Sequence, residues 1–161
     1  LAGSALMVMD PLSRFAWVAD SKTAGIQGVR LDPWSGQAWS SGGLVIDGFV
    51  ASALEVEPTG RMLVGATLGP GGAFSGQGQT LAVAVDPVSG QPRSTAGGTS
   101  ISTPACHGMT VSPAGHVFVL GLDHGSSFVE IQVDAVTGVL QPFGPAGLPG
   151  PYVWTGIDAT W

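Results

Sequence analysis

Charged residues are scarce in this chain of 161 residues. Asp, Glu, Lys and Arg together make up 10% of the sequence, and five basic against eleven acidic residues leave a net charge of −6. Five basic residues cannot form the positive stripe that nucleic-acid binding requires, and they offer little to an anionic membrane surface. We therefore expect no nucleic acid among the partners of this protein.

The fraction of charged residues is also low for a fully exposed protein surface, because a typical soluble domain is roughly 25% charged. Hydrophobic residues make up 44% of the chain, which is ample for a core. A surface so poor in charge is expected to be covered, by further sequence, by a partner or by copies of the same chain. The alternative is a secreted protein of biased composition.

Several other defining features are missing. Cys106 is the sole cysteine, which excludes an internal disulfide and a multi-cysteine zinc site. No apolar run approaches the roughly 20 residues of a membrane span. P-loop, dinucleotide-binding, HExxH and EF-hand patterns are absent, so we expect no cofactor and no metal. The chain opens at Leu1 without Met or a basic segment, which suggests a processed, truncated or partial sequence. This opening, together with few lysines and many small polar residues, favours an extracellular or periplasmic location.

Against these absences stands a threefold internal repeat. Each unit has a short apolar strand ending in a proline turn, a second strand, a third strand ending in an Asp turn, and a looser fourth strand. Pro58 follows Pro11 by 47 residues and Pro113 follows Pro58 by 55, within the range of propeller blades. The longer middle unit carries a glycine-rich insert at 69–78. The sequence therefore predicts an all-β fold of three four-stranded β-propeller blades.

We expect one repeat domain over 1–161, with blades at about 4–50, 51–104 and 105–152. Residues 155–161 align with 107–113, so 153–161 is expected to form an extra inner strand. Propeller rings usually have 4–8 blades, so three blades leave the ring incomplete unless the chain self-associates. Two copies could close a six-bladed ring, copies could stack into a filament, or the chain could be a fragment.

The segments DPLSRFAWVADS and GVRLDPWSGQ, at 10–21 and 28–37, resemble lactonase-like propellers. That family includes 6-phosphogluconolactonases and YVTN-repeat surface proteins. The resemblance implies that an enzymatic member would carry His, Arg and Glu on inner strands, with a P-R-H-x-x-F signature. The nearest segment here is Pro104–Val111, in which His107 falls one place early and no arginine precedes it. The family's catalytic set is therefore not expected in this chain.

Candidate site residues are few. Trp34, in the Asp32–Gly36 turn, is a candidate interface anchor, whereas Trp17 is expected in the core. Glu55 occupies the same repeat position as Val8, Thr110 and Asp158. Carboxylates of Glu55, Glu57 and Asp158 could border a central channel and suit Ca²⁺ or Mg²⁺, or simply be hydrated.

Two further candidates contain histidine. His107 follows Cys106, but neighbouring strand residues point to opposite faces, so a nucleophile–base pair is not favoured. Asp123 and His124 stand in the hairpin of the third blade, where they could bind a metal or a sugar hydroxyl or simply form a turn.

The sequence thus favours a non-enzymatic scaffold or binding propeller that acts as a subunit of a larger ring or filament. One alternative is a lactonase-like hydrolase fragment acting on a sugar lactone. Another is a carbohydrate- or peptide-binding module that uses Trp34 and the glycine-rich insert.

Overall fold

The computed structural model describes residues 5–20, 24–47, 49–67, 77–95, 100–121 and 127–145. The described residues form thirteen β-strands and no helix, so none of them belongs to a helix long and apolar enough to cross a membrane. The strands are β1 (Ala5–Met9), β2 (Phe15–Asp20), β3 (Gly25–Leu31), β4 (Ala38–Val45), β5 (Ala51–Val56), β6 (Met62–Thr67), β7 (Gln77–Val85), β8 (Pro92–Ser94), β9 (Ser100–Pro104), β10 (Cys106–Val111), β11 (His116–Gly121), β12 (Ser127–Val133) and β13 (Leu140–Pro145).

These strands form three antiparallel sheets, which are the three predicted blades. Blade 1 has the order β1-β2-β3-β4, blade 2 the order β5-β6-β7-β8 with β9 also on β7, and blade 3 the order β10-β11-β12-β13. The first strands contact one another, β1 against β5 and β5 against β10, while β4 contacts β8. Sheets packed face to face around a common edge of first strands are the arrangement of a propeller, so the predicted fold class is confirmed.

The third strand of every blade ends in the same Asp turn. Asp32, Asp86 and Asp134 each accept backbone N–H groups from the residues two and three places ahead, at 2.8–3.2 Å. The glycine that closes each turn has φ between 70° and 74°. A carboxylate acceptor followed by a glycine in the left-handed region explains why the Asp…Gly pattern recurs in the sequence.

A carboxylate also orders the first hairpin of blades 1 and 2. Asp10, buried, accepts the backbone N–H and the guanidinium of Arg14. Glu57, equally buried, accepts the backbone N–H groups of Thr59 and Arg61 at 2.8 and 2.7 Å. The suggestion that Glu57 borders the channel is therefore wrong, because its carboxylate is used inside its own turn.

Blade 3 departs from the repeat by one residue. The N–H of Asp10 donates to the carbonyl of Phe15, five residues on, whereas the N–H of Ser112 donates to that of His116, four residues on. Consequently His116 pairs with Gln132, just as Phe15 pairs with Arg30. A three-residue loop here replaces the four-residue loop of the other blades, which places His116 in the repeat position of Phe15.

Blade 2 differs at its outer edge. Its expected fourth strand is divided into β8 and β9, both paired with β7, at the C-terminal and N-terminal halves respectively. β7 begins at Gln77, so the last two residues of the predicted 69–78 insert belong to a strand. The rest of the insert lies outside the described residues, as does the predicted extra strand at 153–161.

Two hydrophobic clusters join the blades. One lies between blades 1 and 2 and contains the fully buried Trp17, as the sequence predicted. Its indole Nε1 donates to the carbonyl of Gly90 at 2.8 Å, and Phe15 packs over the same glycine. The other cluster lies between blades 2 and 3 and is aliphatic, with Met62 and Val64 in the positions of Phe15 and Trp17.

Candidate functional site

The first strands bring equivalent side chains to the inner edge of the blades. Val8, Glu55 and Thr110 pair with Trp17, Val64 and Phe118, which hold matching positions on the second strands. Glu55 is half-buried and Thr110 is buried. This edge is therefore the place where the fold would present a channel, and Glu55 supplies its one carboxylate among the described first strands. Asp158, the predicted fourth member, lies outside the described residues.

Two of the inner strands contain a β-bulge at the same position. The register of β5 shifts between Ala51 and Ala53, and that of β10 shifts between Cys106 and Gly108, so Ser52 and His107 are the extra residues. Bulges re-aim side chains and are frequent beside active sites. The strict alternation used to judge His107 from the sequence does not hold there, because a bulge interrupts the period of two.

Cys106 is unsuited to nucleophilic chemistry. It is fully buried, and its Sγ donates to the carbonyl oxygen of Gly108 at 3.3 Å. Burial raises the pKa of this thiol to about 12. Because the thiolate is the reactive form, Cys106 acts as a small core residue.

Trp34 lies far from this inner edge, in the turn between β3 and β4. Its side chain is 95% exposed, and its backbone N–H donates to Asp32 Oδ1 at 2.8 Å. The structure therefore does not bring Trp34 together with Glu55 or His107, which lie on β5 and β10. Asp123 and His124 lie outside the described residues.

The sequence analysis missed a crevice at the outer edge, between blades 1 and 2. It has a volume of about 540 Å³ and is lined by Arg30, Asp32, Trp39, Ser40, Ser41 and Ser89, with Leu31 and Pro33. Arg30 on β3 pairs with Trp39 on β4, whose side chain is 47% exposed. This pairing could have been predicted from the sequence, because side chains alternate along β3 up to Asp32 and the turn that follows has a fixed length.

The charges of this crevice oppose each other. Hydrogen bonds from the backbone N–H of Trp34 and from Ser35, aided by the positive charge of Arg30, hold the pKa of Asp32 below its usual value. Asp32 is therefore ionised near neutral pH beside a guanidinium. Ser41 Oγ is buried, and no hydrogen-bond partner is found for it in the described part of the chain.

A metal centre finds no support among the residues described, where no group of three or more His, Cys, Asp and Glu side chains is close enough to hold an ion. His116 and Glu130 form a pair, with Nδ1 and Oε1 2.7 Å apart, on the face of blade 3 that is turned away from blade 2. Sequence reasoning missed this pair because it depends on the one-residue shift of the third hairpin.

Comparison with known proteins gives the fold. No family model and no curated protein sequence matches the chain. A putative 6-phosphogluconolactonase from Bacteroides fragilis matches in structure with a TM-score of 0.71 and 14% identity, over 86% of this chain and 37% of that one. The periplasmic gluconolactonase of Pseudomonas aeruginosa matches with a TM-score of 0.65 and 19% identity, over 87% and 38%.

Hydrazine synthase of Kuenenia stuttgartiensis also matches, with a TM-score of 0.56 and 14% identity, over 91% of this chain and 43% of that one. The chain thus spans about two fifths of the length of these proteins. Because the match extends from gluconolactonases to a hydrazine synthase, the likeness establishes the propeller fold alone.

Proposed function

We propose that this chain is a sector of a lactonase-like propeller, and that the assembled ring hydrolyses a sugar lactone in the channel bordered by its first strands. The observation that carries the proposal is the structural likeness of three consecutive blades to two putative 6-phosphogluconolactonases and a periplasmic gluconolactonase. This likeness favours the enzymatic alternative over the scaffold that the sequence favoured.

Two residues of the first strands are of types suited to opening an ester ring. Glu55 is a half-buried carboxylate on β5, and His107 stands at the bulge of β10, which contacts β5. In the proposed reaction one of them takes a proton from water, and the water oxygen bonds to the lactone carbonyl carbon. The ring C–O bond then breaks, and the proton passes to the departing alkoxide.

Stabilisation of the negative carbonyl oxygen needs a hydrogen-bond donor or a cation. The described first strands β1, β5 and β10 contain no arginine. We therefore place this group on another blade of the ring, contributed by further sequence or by a second copy of the chain.

Proton release from glucono-δ-lactone and from its 6-phosphate tests the proposal. The parent chain is compared with Glu55→Gln, with His107→Ala and with Gln132→Ala, a matched change on an exposed residue of β12. We expect a rate above that of buffer, reduced about a hundredfold in at least one of the first two variants and unchanged in the third. A rate equal to buffer, from folded protein of defined particle mass, contradicts it.

A second candidate is the non-enzymatic scaffold or binding propeller, acting as a subunit of a ring or filament. It is favoured by the sparse chemistry of the described inner edge, where blade 1 presents Val8 in the position of Glu55 and Cys106 is inert. We also propose an extracellular or periplasmic location, which the likeness to a periplasmic gluconolactonase supports.

Light scattering on a sizing column separates these possibilities, since one chain has a mass of 16.2 kDa. A discrete dimer supports a closed six-bladed ring, and the lactone assay is then made on that particle. An open-ended series of masses supports a filament and the scaffold role, whereas an inactive monomer argues against self-association.

A further inference from the structure

The outer crevice between blades 1 and 2 combines an aromatic surface with paired charges. The indole of Trp39 is 47% exposed, on the strand position directly opposite Arg30. Asp32 follows Arg30 by two residues, at the end of β3, and Ser89 faces the crevice from the Asp turn of blade 2. Its volume of about 540 Å³ lies within the range of small-ligand sites.

These groups match a ligand that is flat and apolar on one face and rich in hydroxyls at its rim. An indole face packs against aliphatic C–H groups, the Arg30 guanidinium donates hydrogen bonds, and the Asp32 carboxylate accepts them. A hydroxyl group both donates and accepts, so it suits both side chains at once. Because the two charges oppose each other, the crevice has no net preference for an anion or a cation.

Ser41 adds an independent observation. It is the extra residue of a bulge, since β3 and β4 shift register between Gly28 and Val29. Ser41 lines the crevice, and its Oγ is buried against Gly28 without a hydrogen-bond partner among the residues that the structure describes. Buried hydroxyls are normally satisfied, so a rotation of the Ser41 side chain towards the crevice would gain it a hydrogen bond to a ligand group or water.

The corresponding position of blade 2 shows that this is not a general feature of the repeat. There Ala84 and Arg93 take the places of Arg30 and Trp39. Arg93 Nη2 lies 2.7 Å from Asp86 Oδ2, so the guanidinium closes onto the turn carboxylate of its own blade. The combination of an exposed indole, a guanidinium and an unsatisfied hydroxyl therefore belongs to blade 1 alone among the first two blades.

We propose that the crevice between blades 1 and 2 binds a neutral saccharide, with Trp39 as the stacking surface and Arg30, Asp32 and Ser41 as hydrogen-bonding partners. The ligand class is a mono- or disaccharide unit, free or at the end of a glycan. This site is separate from the inner edge and goes beyond the proposed lactone hydrolysis, since it retains sugar without reacting with it.

Saturation-transfer NMR with glucose, galactose, mannose, N-acetylglucosamine, maltose and cellobiose tests the proposal on the intact chain. We expect at least one sugar to bind, and Trp39→Ala to weaken that binding at least about tenfold, whereas Trp39→Phe retains most of it. Val136→Ala is the matched control, because Val136 holds the position of Trp34 in the Asp turn of blade 3, is 79% exposed and lies outside the crevice lining.

A second variant guards against misfolding of the first. Arg30→Gln leaves Trp39 in place and is expected to weaken binding, with thermal unfolding followed by circular dichroism for every variant. The proposal is overturned if none of the six sugars gives a transfer signal, if binding survives Trp39→Ala, or if Val136→Ala removes it equally. Lactone hydrolysis unchanged by Trp39→Ala would show that the two sites are independent.

Discussion

The two joints between neighbouring blades use one backbone arrangement and two kinds of packing. Between blades 1 and 2, Gly90 of the Asp turn fits beneath the ring of Phe15, and its carbonyl accepts the Trp17 indole N–H at 2.8 Å. Between blades 2 and 3, Gly138 of the next Asp turn packs against Thr95 and Met62. The first joint is aromatic, whereas the buried side chains of the second are aliphatic.

This difference shows that the repeat units share the geometry of the turn more strictly than the identity of the side chains. Gly90 and Gly138 both have φ of 74°, so both turns approach the preceding blade with the same backbone. The side chains packed between two neighbouring blades can differ from joint to joint, provided that their volume suits the space between the sheets. The joints therefore allow the same substitution to be tested in two environments.

The largest contrast is expected for the residues in the Trp17 position. Trp17→Ala leaves a large cavity and a buried carbonyl without its donor, and should lower the free energy of unfolding by about 3–5 kcal/mol. Val64→Ala, the equivalent change in the second joint, should cost about 2 kcal/mol. Urea unfolding of both variants measures the two values.

Trp17→Phe separates the hydrogen bond from the packing in this comparison. It keeps most of the ring volume but leaves the Gly90 carbonyl unpaired, and we expect a loss of about 1–3 kcal/mol. Equal losses for Trp17→Ala and Val64→Ala would refute the view that the first joint is the stronger one.

The closing glycines should give a graded series when each is changed to alanine. A Cβ on Gly90 would lie 2.2 Å from Phe15 Cδ1, and one on Gly138 would lie 2.6 Å from Thr95 Cγ2. A Cβ on Gly36 meets no atom within 4 Å. We expect alanine at Gly90, Gly138 and Gly36 to lower the free energy of unfolding by about 3, 2 and 1 kcal/mol respectively. The cost of a positive φ is common to all three, and the close contact of the new Cβ adds to it in the first two.

Gly36→Ala is thus the control that isolates backbone conformation from packing. Thermal unfolding, followed by circular dichroism, gives the ranking directly. If Gly36→Ala proved as harmful as Gly90→Ala, the close approach of turn to blade would not be what fixes glycine in the repeat.

The smallest effect concerns pH. Hydrogen bonds from backbone N–H groups, those of Ser89 and Thr137 foremost, lower the pKa of Asp86 and Asp134 from the ordinary 3.8. A carboxylate whose pKa is lowered by folding stabilises the folded protein. This stabilisation is complete above the pKa of the unfolded state, which is about 3.8. It is lost as pH falls below 3.8 and through the folded pKa.

Asp86→Asn and Asp134→Asn keep the turn acceptor but remove the charge. Each variant should be less stable than the parent at pH 6, and the difference should shrink as the pH falls below 3.8. Asp86→Asn should show the larger difference, because Arg93 lies 2.7 Å from that carboxylate. A difference that stays constant between pH 6 and pH 2 would show that the charge contributes nothing. Denaturant unfolding at each pH provides the test.

Much of the fold was predictable because turn chemistry is local. The Asp…Gly pattern at 32–36, 86–90 and 134–138 fixes where third strands end, and the proline turns fix where first strands end. The one-residue shift before His116 was not predictable, because loop length at a hairpin is settled by pairing across the sheet. The divided outer strand of blade 2 depends likewise on non-local pairing with β7.

The candidate sites were less accessible from sequence. Exposure of Trp34 followed from its place in a turn and is confirmed, but its binding role stays a prediction. The bulge at His107 arises from a register shift, which has no clear signature in a single sequence. The crevice at Trp39 also depends on Ser89 of the neighbouring blade, a contact that pairing within blade 1 does not predict. Glu55 could be placed on an inner strand because its offset from Pro58 equals that of Thr110 from Pro113.

The shortened hairpin of blade 3 also bears on how such repeats diverge. Ser112–His116 spans one residue fewer than Asp10–Phe15, yet the strands that follow keep their cross-strand partners in both blades. A deletion at this corner is therefore absorbed within the loop and does not propagate into the sheet. Gene duplication followed by small deletions can thus preserve the spatial repeat while eroding its trace in aligned sequences, and the same corner is a suitable point for inserting a peptide tag.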